Sequence, residues 1–185
     1  MSDTLPFIIF GVIVVTMWLV STYNKFIKHQ NMIEEGWSII DVALKRRANL
    51  IPQLISTVEG YSEHETETLK SVVGQRSGEG RSDQRLQEEG QLSQSLGGLL
   101  AMAEAYPDLK ANTTFIELQK TLNDVEREIA DSRNTFNQRV RVLNTLVGQF
   151  PSNFIANFFQ FGREEYFKLS LATEREITQM PWDSK

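Results

Sequence analysis

Trp37-Ser38-Ile39-Ile40-Asp41-Val42-Ala43-Leu44-Lys45-Arg46-Arg47 lies at the middle of a run from Tyr23 to Val73 that reads as one long amphipathic helix. Counted in sevens, one column holds Phe26, Ile33, Ile40, Arg47, Leu54, Tyr61 and Thr68. A second, offset by four, holds Gln30, Trp37, Leu44, Ile51, Val58, Glu65 and Val72. Ten of these fourteen positions are apolar, which is the pattern of a helix that buries one narrow seam against partner helices. Pro52 interrupts the run. Proline inside a helix removes a hydrogen bond and crowds the carbonyl four residues back, at a cost of about 3 kcal/mol. Either the helix bends there and continues, or Asn49 caps a second helix and the chain turns back. The heptad phase carries through the proline, which favours continuation.

Upstream, Leu5 to Tyr23 carries no charge and, at 1.5 Å per residue, covers roughly 28 Å, the thickness of a bilayer's hydrocarbon core. Trp18 and Tyr23 stand toward one end, where amphipathic rings favour the interface. A cleavable signal needs a basic leader and a small-residue cleavage site, but Asp3 is the charged residue that precedes the run. The expected organisation is a transmembrane anchor over 1–23, a helical bundle over 24–172 and a polar, frayed tail over 173–185. Lys25 and Lys28 follow the span, and no Lys or Arg precedes it. The positive-inside bias therefore puts the N-terminus outside and the bundle in the cytoplasm.

Downstream, Gly74 to Asp83 has three glycines and no apolar residue, and reads as a loop. A second helix is expected from about Gln84 to Tyr106, with Leu92, Leu96, Leu99, Leu100 and Ala103 on its buried face and Pro107 as its stop. Thr114-Phe115-Ile116-Glu117 has the form of a capping box. From it, Phe115, Leu122, Ile129, Phe136, Leu143 and Phe150 recur every seven residues, with Leu118, Val125, Ser132, Arg139 and Leu146 in the offset column. This helix is the natural antiparallel partner of the first. The class is all-α: an elongated antiparallel bundle, four-helix-bundle-like, behind an N-terminal transmembrane helix.

The formal charge of −5 on 185 residues gives no reason to expect nucleic acid as a partner. No cysteine is present, so disulfides and thiolate chemistry are excluded, and there are two histidines. His64, among Glu63, Glu65 and Glu67, has no second histidine at a helpful spacing for zinc. It reads as a solvated face, and neither a metal nor a cofactor is expected. Asp41 can pair with Lys45 at i, i+4. Arg47 falls on the seam, where an unpaired charge is costly, so it should meet an acid of the Glu126 to Asp131 cluster, which also contains Arg127 and Arg133. The stretch Phe150 to Phe167 is rich in aromatics. Phe154, Ile155, Phe158 and Phe159 form a stripe that could plug the bundle's end, meet a partner or rest on the membrane. A continuous first helix would set this stripe far from the bilayer; a reversal at Pro52 would return it to the surface.

These residues, taken together, resemble the LemA family of bacterial membrane proteins. The matching pieces are Tyr23-Asn24, Trp37-Ser38-x-Ile40-Asp41-Val42-x-Leu44-Lys45-Arg46-Arg47, Leu50-Ile51-Pro52-x-Leu54 and Gly60-Tyr61-x-x-His64-Glu65. Leu99-Leu100-Ala101-x-Ala103-Glu104-x-Tyr106-Pro107-Asp108-Leu109-Lys110-Ala111-Asn112, Arg133-x-x-Phe136-Asn137 and Phe150-Pro151-x-Asn153-x-Ile155-Ala156 follow in order. Arg127 and Lys168 depart from the usual pattern without disturbing it. The resemblance implies one N-terminal span in the bacterial inner membrane and a helical domain, and it brings no accepted catalytic activity or cofactor. It also reaches a protein associated with magnetosome membranes. The expected function is a membrane-anchored scaffold or interaction protein with an unidentified membrane or cytoplasmic protein partner. Self-association is expected from Gln30, Glu65 and Arg139 on seam positions and from the aromatic stripe. The alternative is a membrane-bound enzyme or lipid-handling protein that uses His64 or the Lys45 to Arg47 cluster. Candidate interaction and register residues are Asp41, Arg47, Glu126, Arg133, Phe154, Phe158 and Phe159.

Overall fold

The computed structural model describes residues 4–60 and 83–167. His64, Glu65, the glycine-rich stretch up to Ser82 and the tail over 173–185 lie outside the described residues. Every regular element within them is a helix: α1 (Leu5–Glu59), α2 (Asp83–Ala103), α3 (Pro107–Lys110), α4 (Thr113–Gly148) and α5 (Ser152–Phe158). The helices pack as two compact units. One combines the chain up to Ile40 with Asp131–Phe167, and the other is built from Asp41–Ala130.

Helix α1 runs through Pro52 and ends at Glu59, so the chain does not reverse at the proline. The burial of its first column explains why. Phe26, Ile33, Ile40, Arg47 and Leu54 are all buried, and Leu44, Ile51 and Val58 join them from the second. Burial of an apolar side chain contributes about 1.5–3 kcal/mol, so Leu54, Ile55 and Val58 beyond the proline together exceed its cost. In the Asp41–Ala130 unit these residues share a core with Leu92, Leu96, Leu99 and Ala103 of α2 and with Leu109, Phe115, Leu118 and Leu122.

Two local signals resolve differently from the sequence pattern. Pro107 follows the end of α2 but also opens α3, where its missing N–H costs nothing at a first helical turn. The cap of α4 is Asn112, not Thr114: the Asn112 Oδ1 accepts from the Phe115 N–H at 3.1 Å, and the Asn112 carbonyl accepts from Ile116 at 3.1 Å. Asparagine is among the strongest N-caps, and the preceding α3 turn delivers it to the helix start. The heptad column of α4 is buried from Phe115 to Leu143, whereas Phe150 falls past the helix end and is 73% exposed.

In the other unit α4 runs antiparallel to α1. Trp37 meets Phe136 with ring centroids 6.1 Å apart, and Arg139 donates to the Met32 carbonyl and, at 3.1 Å, to Glu35. Gly36 permits this approach, since a Cβ there would lie 3.3 Å from the Arg139 guanidinium and 3.5 Å from Phe136. After α5, Gln160 takes a left-handed conformation (φ 60°), and the Phe161 N–H donates to the Ala156 carbonyl at 2.8 Å. This Schellman-type ending turns the chain back along α4. The returning segment is held by two asparagines. Asn144 donates to the Glu164 carbonyl and accepts from its N–H, both at 2.9 Å. Asn137 does the same for Phe167, at 3.2 and 2.8 Å. Seven helical residues rise about 10.5 Å, and three extended residues cover about 10 Å, so the two spacings match. Replacing Asn137 with leucine should cost about 1–3 kcal/mol, because the Phe167 amide loses its partner. Hydrogen exchange checks this: protection at Phe167 should fall while Ile33 and Phe136 keep theirs.

Candidate functional site

The end of the apolar run of α1 meets the aromatic segment. Among the described residues α1 alone is long and apolar enough to cross a membrane, and its side chains from Leu5 to Val20 are largely exposed. At the far end of that run the Tyr23 ring lies 4.8 Å from Phe159 and 5.6 Å from Phe161. One turn on, Phe26 is buried and stacks on Phe161 at 4.7 Å with planes 10° apart. The antiparallel course of α4 therefore returns the aromatic segment to the end of the span although α1 continues through Pro52. The expectation that a continuous first helix sets this segment far from the bilayer is corrected: the length of α4, not the proline, decides where its end falls.

Helix α5 has two faces. Ser152, Ile155 and Ala156 are buried, and the Ser152 hydroxyl lies within donating distance of the Leu146 carbonyl of α4 (2.7 Å) and of the Gln149 carbonyl just past it (2.9 Å). Phe154 and Phe158 point outward, 64% and 81% exposed, and Phe159 is half exposed. Leu19, Val20 and Tyr23 of α1 and Phe154, Ile155, Phe158 and Phe159 line an open apolar groove of about 530 Å3. A second groove, on α1, is lined by Met17, Val20, Asn24, Lys25 and Lys28. His29, which follows Lys28 in the chain, has a pKa below the usual histidine value because burial disfavours its charge and Lys28 repels it.

The charged seam residues form a separate cluster inside the Asp41–Ala130 unit. Arg47 is buried and donates to Glu89, to Glu126 at 2.9 Å and to the Ser93 hydroxyl at 2.6 Å. Arg46 pairs with Glu128, and Lys45 with Asp41 at 2.9 Å. Arg47 meets Glu126 of the acidic cluster expected for it, and Glu128 reaches Arg46, while within α4 Arg127 meets Asp124 at 3.4 Å. Arg133 stacks its guanidinium 4.7 Å over the Phe167 ring. The seam pattern points Arg47 to the acids of α4 and misses Glu89; the signal for it is its place one turn before Leu92 on the apolar face of α2, where it is buried. Among the described residues no three His, Asp or Glu side chains are placed to hold a metal ion.

A family model described as LemA family matches residues 36–180. The chain belongs to the LemA family. It is similar to Protein LemA of Metamycoplasma hominis, 26% identical over 157 residues, which cover 81% of this chain and 72% of that protein. It is also similar to Magnetosome protein MamQ of Magnetospirillum gryphiswaldense, 24% identical over 80% of this chain and 65% of the relative. Magnetosome protein MamQ 2 of Paramagnetospirillum magneticum is 23% identical over 86% and 69%. The matched region takes in both the Arg47 cluster and the aromatic segment.

The Arg47 cluster yields a stability prediction. Both the Arg47 and Glu89 side chains are 2% exposed, against 37% for Glu126. Arg47→Leu removes the buried cation that Glu89 and Glu126 share and should cost about 3–5 kcal/mol. Glu126→Ala should cost under about 1 kcal/mol, since water can replace the carboxylate. Combining Arg47→Met with Glu89→Leu should recover most of the loss. Thermal unfolding of the detergent-solubilised chain measures all three; equal losses for Glu126→Ala and Arg47→Leu would show that Glu89 is not the main partner.

Proposed function

We propose that this LemA-family chain is a membrane-anchored scaffold or interaction protein that presents its packed helices on the cytoplasmic face of the bacterial inner membrane. The observation that carries the reading is a single helix whose first part exposes an apolar surface of bilayer length and whose later part is buried among partner helices. Lys25 and Lys28 at the end of the apolar run support the orientation. Magnetosome proteins among the relatives are in keeping with an organising role at a specialised structure. The alternative of an enzyme or lipid-handling site at Lys45 to Arg47 loses support from the ion pairs, because each of these three cations is engaged by a carboxylate of its own unit.

Self-association is the finer part of the proposal. Arg139 does not argue for it, since that guanidinium is taken by the Met32 carbonyl and Glu35. The support that remains is polar Gln30 on its seam position, with Glu65 outside the described residues, and confinement to a membrane plane, which raises the effective concentration of neighbouring copies. Two measurements test the proposal. Protease added outside intact cells should spare the chain beyond Thr114, and external cleavage there overturns the orientation. Light scattering of the detergent-solubilised protein should give a mass above one chain; a single-chain mass at every concentration overturns self-association.

A further inference from the structure

We infer that α5 and the Gln160 turn form a membrane-interface foot, whose exposed Phe154 and Phe158 insert among the acyl chains of the leaflet that Tyr23 adjoins. The inference rests on the reading of Leu5 to Tyr23 as a membrane span. The occupant follows from continuity: one wall of the apolar groove is the span itself, through Leu19 and Val20, and the other is α5. Whatever fills the groove must therefore lie at the depth of the span's end, where the available medium is acyl chain.

The spacing of the rings fits the same depth. Phe150, Phe154 and Phe158 recur every four residues and are exposed, while Ser152, Ile155 and Ala156 hold the opposite face of α5 against its unit. A short helix with one aromatic face exposed and the other packed is the form of an interfacial element, and rings favour this level. Lys25 and Lys28, two and five residues beyond Tyr23 of the groove, stand where lipid phosphates would be. The foot is not free to swing away, because Phe161 is stacked on buried Phe26 and Asn144 and Asn137 bind the chain beyond it. A second contact beside the span would fix the rotation and tilt of α1 in the membrane, which a lone span leaves to its neighbours.

The chain has no cysteine, so single labels can be placed without background. Nitroxides at Val12→Cys, Val142→Cys, Phe154→Cys and Phe158→Cys, each in the full chain in vesicles of phosphatidylethanolamine and phosphatidylglycerol, report depth by collision with oxygen and with a water-soluble nickel complex. All four positions are exposed, so the substitutions should leave helicity unchanged, and circular dichroism checks that. Labels at 154 and 158 should read about 5–10 Å below the headgroup boundary, with the label at 142 in water. Aqueous accessibility at 158 with a buried label at 12 overturns the foot alone. Shielding of 158 from both reagents, with spin–spin broadening between chains, assigns the groove to a second copy and also overturns it. An aqueous label at 12 overturns the span reading on which the foot rests.

Discussion

Helix α1 has no break at the membrane boundary. Tyr23 and Phe26 belong to the same uninterrupted helix as Leu5 and Leu19, so a side chain's place around and along that helix sets its place relative to the bilayer. Hydrogen bonds between successive turns make such a helix stiff on the scale of a few turns. Everything that packs on α1 near residues 19–26 is consequently carried at a defined depth, and the aromatic segment is what packs there. The exposed rings, the basic residues and the returning chain are all consequences of that register.

The register in turn comes from α4. Its seam residues set the antiparallel pairing, but several seams can be slid by a turn with little loss of apolar contact. The polar contacts distinguish among them. Arg139 reaches the Met32 carbonyl beside Gly36, where a larger side chain would hold the helices apart. In the Asp41–Ala130 unit Arg47 meets Glu89 and Glu126 in a buried site. A buried pair of this kind adds little net stability over apolar packing, but a slipped register that strands one charge is heavily penalised.

Much of this was legible in the chain. The two heptad columns of α1 and that of α4 foretold which faces are buried, since helical period and burial are directly linked. The place of Arg47 on its column required a buried acid. Its main partner, Glu89, was hidden because α2 was counted from Leu92, and a single acid one turn earlier looked like surface. Asn112 outcompetes Thr114 as a cap because the sequence holds two plausible starts two residues apart, and the preceding α3 decides between them. The roles of Asn137 and Asn144 depend on where Gln160 turns the chain, which no periodicity records. For the aromatic segment the stripe was visible but its position was not: continuity at Pro52 and the return of α4 are separate facts, and the second governs.

The return of α4 to the membrane end of α1 is tested most directly by one distance. Asn24 and Asn157 are both exposed, so Asn24→Cys and Asn157→Cys can carry a pair of spin labels in the otherwise cysteine-free chain. With helices packed about 10 Å apart and label tethers added, double electron–electron resonance in bilayers should give a separation under about 25 Å. A separation near about 50 Å, the length of the 36 residues of α4, would place α5 at the opposite end of the pairing and contradict the arrangement.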